Sequence, residues 1–324
     1  MTYAKIIKQL KKLPGIIYGL VIIIAFFGVT ADYFLTFMNM MNILKQASVL
    51  IVVSLGMTLA ILLGKIDMSV GSTMSLVGVV TGICLHKGIS IPLAICIGMA
   101  VGSIIGFING YLIGYRKFDY WIVTFSNMGI AQSLALVITN GATIPGFDSS
   151  FRFLGDGQIY GVPVGILIAI AIALAIMYLS YNTKYGSNIY SVGGNEQVAR
   201  YSGIDTNKVI FKTYILSSLL AGFAGILLVS KVNSANPIAG SGYEFDAIAA
   251  TLIGGTPFDG GRGGVLGTII GACIIATLRN GLNMLGLTPP IQFTLVGFII
   301  ILIIIFDVLN EKYKAKKGGA ANEA

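Results

Sequence analysis

Charge is what this 324-residue chain has least of: Asp, Glu, Lys and Arg together make up 10% of it, beside a hydrophobic share of 56%. A soluble domain covers itself with roughly 25 to 35% charged residues, so the deficit excludes an ordinary water-soluble protein. Histidine is nearly missing, with His86 alone and read as a loop residue. Cys84, Cys96 and Cys273 lie in apolar segments without metal-like spacing and read as packing residues, with no disulfide inferred. The 13 acids are scattered. A nucleophile with its base, a metal cluster or a carboxylate pair needs such groups close together, so no catalytic set, metal site or cofactor is expected. No G-x-x-x-x-G-K-[ST] string occurs either, which excludes a P-loop.

What is present is apolar sequence in lengths that cross a bilayer, for which about 20 residues suffice. Segments near 15 to 31, 43 to 63, 69 to 84, 91 to 114 and 120 to 139 form a first half. Those near 162 to 180, 210 to 230, 244 to 256, 265 to 286 and 291 to 309 form a second. The expected fold is an all-α polytopic membrane protein of about ten transmembrane helices, a single domain over residues 1 to 324. The first span is read as retained, because no small-residue cleavage site follows the lysines of residues 1 to 13. An even count puts both termini on one side. Of the 21 Lys and Arg, sixteen fall in the basic N-terminus, the tail from 310 to 324 and the turns of that same side, while the opposite loops hold Lys87, Arg152 and Lys231. Positive charge stays inside, so both termini are expected in the cytoplasm. The same placement accounts for the net charge of +8 without nucleic acid.

The longest polar interval, residues 181 to 212, sits between two of these spans, with the coupling loop itself placed at 181 to 209. Asn195 is suited to cap a short helix with Glu196 in its first turn, where the helix dipole favours negative charge. Gly203 stops that helix. A short exposed helix between two spans has nothing of its own to pack on and is shaped to meet another protein.

The third and eighth segments are short, rich in small residues and correspondingly placed in the two halves, an arrangement that marks broken helices at the interface of an inverted repeat. Asp67 and Ser69 introduce the one, Glu244 and Asp246 the other. The alternative is that Asp67 and Glu244 merely cap helices at the membrane surface. Asn109, Asn127, Asn280 and Asn283 lie within apolar segments, and Arg279 shares their setting. Polar groups at such depth face a protein interior or a wet cavity, so these eight polar residues, the arginine aside, are the candidates for a translocation path. Gly267 and Gly271 let the ninth span approach a neighbour closely. Tyr111, Tyr115, Tyr120 and Trp121 read as interfacial anchors.

Five motifs in this order, GKIDMSVG, IYSVGGNEQVARYSGI, SANPIAGSGYEFDAIAATLIGGT, the glycine cluster from Gly254 to Ala272 and NGLNMLG, resemble the permease subunits of bacterial monosaccharide ABC importers of the ribose type. The likeness runs from about Asn42 to Asp307. It implies an inner-membrane permease that is not itself an enzyme. Its partners would be a second permease copy or a paralogue, two cytoplasmic ATP-binding subunits, an extracytoplasmic sugar-binding protein and the lipid around it. It also implies that Glu196, Ala199 and Gly203, with the preceding turn Gly193, Gly194 and Asn195, couple the permease to its ATPase. Two departures stand out: Gly64 and Lys65 where the family has two glycines, and Tyr120, Trp121 and Ile122 where it often has Pro-Phe-Ile. Neither is expected to touch the coupling loop. The competing readings are a secondary transporter driven by ions through Asp67, Glu244 or Asp246, and a passive channel or structural membrane component.

Overall fold

The computed structural model describes residues 13 to 320. All but the last residue of the basic N-terminal segment expected at 1 to 13, and the last four residues of the basic tail, lie outside the described residues. The chain is helical almost throughout. In order come α1 (Leu13–Thr30), α2 (Phe37–Leu62), α3 (Val70–His86), α4 (Ile91–Gly110, continued by a π-helical turn, Tyr111–Tyr115) and α5 (Tyr120–Thr139). There follow α6 (Ser149–Asp156), α7 (Val164–Asn182), α8 (Lys184–Gly194), α9 (Glu196–Tyr201), α10 (Thr206–Val232), α11 (Tyr243–Ile253), α12 (Val265–Met284) and α13 (Pro289–Ala320). Strands are confined to two-residue ladders: β1 (Ile144–Pro145) pairs antiparallel with β4 (Ser234–Ala235), and β2 (Gln158–Ile159) with β3 (Val162–Pro163).

Every one of the ten expected apolar segments coincides with a helix, and length then separates them. Six of the described helices, α2, α4 with its π turn, α5, α7, α10 and α12, are long and apolar enough to cross a membrane. Apolar stretches in α1, α3 and α13 are shorter, at Gly15–Thr30, Val70–His86 and Pro289–Ile303. The 11 residues of α11 reach only about 16 Å at 1.5 Å per residue, about half a hydrocarbon core of roughly 30 Å.

The core is built on α2 and α10, whose 26 and 27 residues are the longest of the six. Both are apolar on nearly every face, as helices surrounded by other helices must be. Around α2 pack α7, α10, α11 and α12, and around α10 pack α2, α3, α4 and α6. Small residues set the closest of these approaches. Gly98, Gly102, Gly106, Gly110 and Gly114 form a stripe at four-residue spacing along α4 and its π turn, and from Gly102 onward it faces α10. A Cβ on Gly106 would stand 2.7 Å from the Ile215 Cα and 2.8 Å from the Tyr214 carbonyl oxygen. Gly267 and Gly271 of α12 do the same against Gly254 and Ala250, so the neighbour expected for the ninth span is α11.

The polar interval departs from its expected form. It holds two helices instead of one, and α10 begins at Thr206, four residues before the expected span. The Thr183 hydroxyl caps α8 by accepting from the Gly186 N–H, and α8 buries Gly186, Ile189 and Val192 along one face. Asp205 caps α10 by accepting from the Lys208 N–H. Each break is therefore made by a side chain that replaces a lost intrahelical partner.

Candidate coupling surface

Helix α9 is six residues long and set by the residues at its ends. The Asn195 side chain accepts from the N–H groups of Gln197 and Val198, 3.0 Å each, and Gly203 takes φ +83° just beyond the last turn. Open space surrounds Gly203, so the requirement there is for a left-handed backbone and not for small size. Ala199 is buried against the bundle, while Val198 and Tyr201 point away from it, 58% and 89% exposed. The sequence singled out Glu196, Ala199 and Gly203, which hold α9 in place. The apolar outward face, Val198 and Tyr201, was missed, although it follows from Ala199: residues one before and two after a buried position fall on the other side of a helix.

Gly193 and Gly194, expected in the turn before α9, are instead the last residues of α8, with Asn195 as its C-cap. A Cβ on Gly193 would collide with the carbonyl oxygen of Leu62, at the end of α2, and lie 2.7 Å from the N–H nitrogen of Gly261. That Gly261 N–H donates to the same Leu62 carbonyl, 2.9 Å. The ends of α2 and α8 and the α11–α12 loop thus meet backbone to backbone. Gly194 faces open space.

Glu196 is the electrostatic centre of this surface. Lys117 lies 3.0 Å from Oε1, Arg200 3.4 Å from Oε1 and Lys65 3.5 Å from Oε2. Partial burial alone would raise the carboxyl, but the Lys117 hydrogen bond and the Lys65 charge outweigh it and hold Glu196 below its ordinary range. This corrects the expectation about the departures. Lys65 does touch the coupling loop through Glu196, and its ammonium also lies 5.7 Å from the centre of the Tyr120 ring.

Of the eight polar residues considered for a path, the structure joins four. Ser69 donates to Asp67 Oδ1 from its hydroxyl at 2.6 Å and its N–H at 3.1 Å, and Ser217 of α10 donates to Oδ2 at 2.9 Å. Asn109 donates to the Ser69 hydroxyl at 2.9 Å, and Asn127 donates to Asn109. All four are buried. The other four stay apart. Asp246 meets Arg279 through two 2.6 Å contacts, which gives the arginine of α12 its counter-charge. Glu244 accepts from the Gly242 N–H, 3.1 Å, at the start of α11. Asn280 exchanges 3.0 Å hydrogen bonds with Asn39 of α2, and Asn283 accepts from Gln292 at 2.6 Å. Asp67 and Glu244 each accept a backbone N–H two residues away, from Ser69 and Gly242, the residues just before α3 and α11 begin.

A bundle of long apolar helices with a capped helix held against its interhelix turns defines an integral membrane protein. Residues 39–305 match the family described as "Branched-chain amino acid transport system / permease component". The ribose import permease protein RbsC of Bacillus subtilis (strain 168) is 38% identical over 291 residues, covering 89% of this chain and 90% of that protein. RbsC of Escherichia coli (strain K12) is 38% identical over 297 residues, covering 89% and 91%. The D-allose transport system permease protein AlsC of the same strain is 37% identical over 300 residues, covering 92% of each. No solved structure matches the chain. The chain belongs to this permease family and, within it, to the ribose-type ABC permeases; it is a membrane permease subunit and not an enzyme.

Proposed function

We propose that this chain is the membrane subunit of an ATP-driven importer that receives a monosaccharide from an extracytoplasmic binding protein. α9 is the helix on which a separate ATPase subunit docks. The observation that carries this is α9 itself: capped at both ends, fixed by Ala199 and Glu196, and exposing Val198 and Tyr201 with no part of the bundle to cover them. A monosaccharide is favoured over the amino acids in the family description because relatives similar over nearly the whole chain are named for ribose and D-allose.

The working unit is two permease copies, or this chain with a paralogue, above two ATPase subunits, with both termini cytoplasmic in the bacterial inner membrane. Closure of the ATPase dimer pushes α9, and the spans rock about a central path reached by the Asp67 to Asn127 cluster and its counterparts in the second half. The two five-helix halves form an inverted repeat, a reading supported by the neighbours of four helices in each half. α2 packs on α10, α11 and α12, while α10 packs on α2, α3 and α4; α3 adjoins α4 and α5 as α11 adjoins α12 and α13. Asn109-Gly110 near the end of α4 also finds its echo in Asn280-Gly281 near the end of α12. The outer helices α1 and α7 stand outside the correspondence, α1 packing chiefly on α12 and α7 on α2.

Ion coupling is the weaker reading. Asp246 is neutralised by Arg279, and Asp67 is engaged by three donors from Ser69 and Ser217. The test is purification of the tagged chain from native membranes in mild detergent. An ATPase subunit in about equal amount, lost in a Val198→Asp/Tyr201→Ala double variant that still inserts normally, is expected, because a charge in a buried apolar contact is strongly penalised. Recovery of the chain alone, moving sugar in liposomes under an ion gradient, would overturn the proposal.

A further inference from the structure

We propose that Lys65 is a positioning residue for energy coupling: it links the docking helix α9 to the buried polar cluster of the bundle, and Tyr120 holds it in place for that task. The proposal rests on α9 being the ATPase-docking helix. Lys65 is the most shielded of the three cations around Glu196, its side chain 18% exposed against 42% for Lys117 and 56% for Arg200. An ion pair shielded from water and salt keeps more of its strength than an exposed one. Arg200 belongs to α9 itself, so it transmits nothing beyond that helix.

The short segment that carries Lys65 is pinned on both sides. Before it, Gly64 stands at φ +69° against the Asp259 carbonyl, and its N–H donates to Ile61, 2.8 Å. After it, the Ile66 carbonyl accepts from the Tyr214 hydroxyl of α10 at 3.1 Å, and Asp67 is held by Ser69 and Ser217. Displacement of Lys65 therefore reaches Asp67 through only one intervening residue, with little slack to absorb it.

From Asp67 the polar cluster continues through Ser69 and Asn109 to Asn127 of α5. α5 begins at Tyr120, over whose ring the Lys65 ammonium rests. Lys65, Asp67, Ser69, Asn109, Asn127 and Tyr120 thus close a ring that ties the starts of α3 and α5 together, and Glu196 grips that ring from α9. The fold brings Lys65 and Tyr120, 55 positions apart in the chain, into contact. Lys65 supplies the cation, and Tyr120 supplies the aromatic surface it rests on.

The test is sugar taken up per ATP hydrolysed by the complete importer, permease with its ATPase subunits and binding protein, in liposomes, alongside ATPase co-purification. Lys65→Met keeps the aliphatic stem and removes the charge. It is expected to lower uptake per ATP about fivefold or more, the low end of typical coupling between sites, with ATPase co-purification unchanged. Lys65→Arg and Tyr120→Phe, which preserve the cation and the ring face, are expected to stay near wild type. Unchanged uptake per ATP in Lys65→Met overturns the proposal, as does loss of the ATPase subunit from that variant, which would make Lys65 a docking residue. Where Lys65→Met fails to accumulate in the membrane, Tyr120→Leu, which leaves every charge in place, carries the test: the same loss supports the proposal and wild-type uptake per ATP overturns it. Absence of the ATPase subunit from the wild-type preparation instead removes the docking reading and the proposal with it.

Discussion

Glu196 shows how one carboxylate serves three elements. Its neighbours Lys65, Lys117 and Arg200 come from the α2–α3 loop, the α4–α5 loop and α9. Removing its charge leaves three cations facing one another. Its carboxyl titrates below the ordinary value of 4.5 in the folded protein. The stabilisation is therefore complete above the unfolded value and disappears as pH falls through the lowered folded value. Glu196→Gln is expected to lower the thermal midpoint in detergent at neutral pH, by an amount equivalent to about 1 kcal/mol or less because solvent and salt reach part of the site. The gap from wild type should close as pH drops below 4.5, the ordinary value from which the shift starts. A gap independent of pH would show that Glu196 acts through shape and not charge. At this scale the sequence was legible where the rule is local. Asn195 and Gly203 follow from capping and stop signals within a few positions. The contact of Glu196 with Lys65 joins distant parts of the chain, and no local pattern announces it.

Among the elements, the approach of α4 to α10 depends on glycine more than on any side-chain contact. Gly106 and Gly110 stand where an added Cβ would meet the backbone of α10, with the Phe211 carbonyl oxygen 2.6 Å from the one on Gly110. A backbone atom held by its own helix cannot step aside as a flexible side chain does. Gly106→Leu is expected to destabilise the bundle by about 3 kcal/mol or more, at or beyond the upper end for overpacking, read as a fall in the detergent unfolding midpoint or failure to accumulate. Gly129 of α5, with open space around it, provides the control. Gly129→Ala should be neutral or slightly stabilising, since alanine is the better helix former. The four-residue spacing from Gly98 to Gly114 was open to reading in the sequence, but the helix it faces was not, because small residues mark a close approach without naming the neighbour. α8 was hidden for another reason. Its polar composition resembles a loop, and only its burial of Ile189 and Val192 reveals the apolar face that makes it a helix.

Across the whole molecule, contacts sort the connecting segments onto two faces. Glu196 gathers the α2–α3 and α4–α5 loops beside α9, and Gly193 brings in the α11–α12 loop. At the other end, His86 meets the Pro145 carbonyl at 3.0 Å, β1 pairs with β4, and the Gly155 N–H donates to Ser230 at 2.8 Å. The face of α9 holds the turns counted as inside from their basic residues, and the other face holds Lys87, Arg152 and Lys231. Charge bias and three-dimensional contact divide these loops in the same way. The proposed orientation rests on the positive-inside rule. It is checked with single cysteines in a background lacking native thiols, since Cys96 is exposed and Cys273 partly so. A membrane-impermeant maleimide applied to intact spheroplasts should label Lys87→Cys at the end of α3. Lys184→Cys at the start of α8 should react only after the membrane is opened. The reverse pattern would invert the proposed orientation and place α9 out of reach of a cytoplasmic ATPase. Labelling of both in intact spheroplasts would mean that the two faces are not separated by the bilayer, and the alternating path drawn between them would lose its basis.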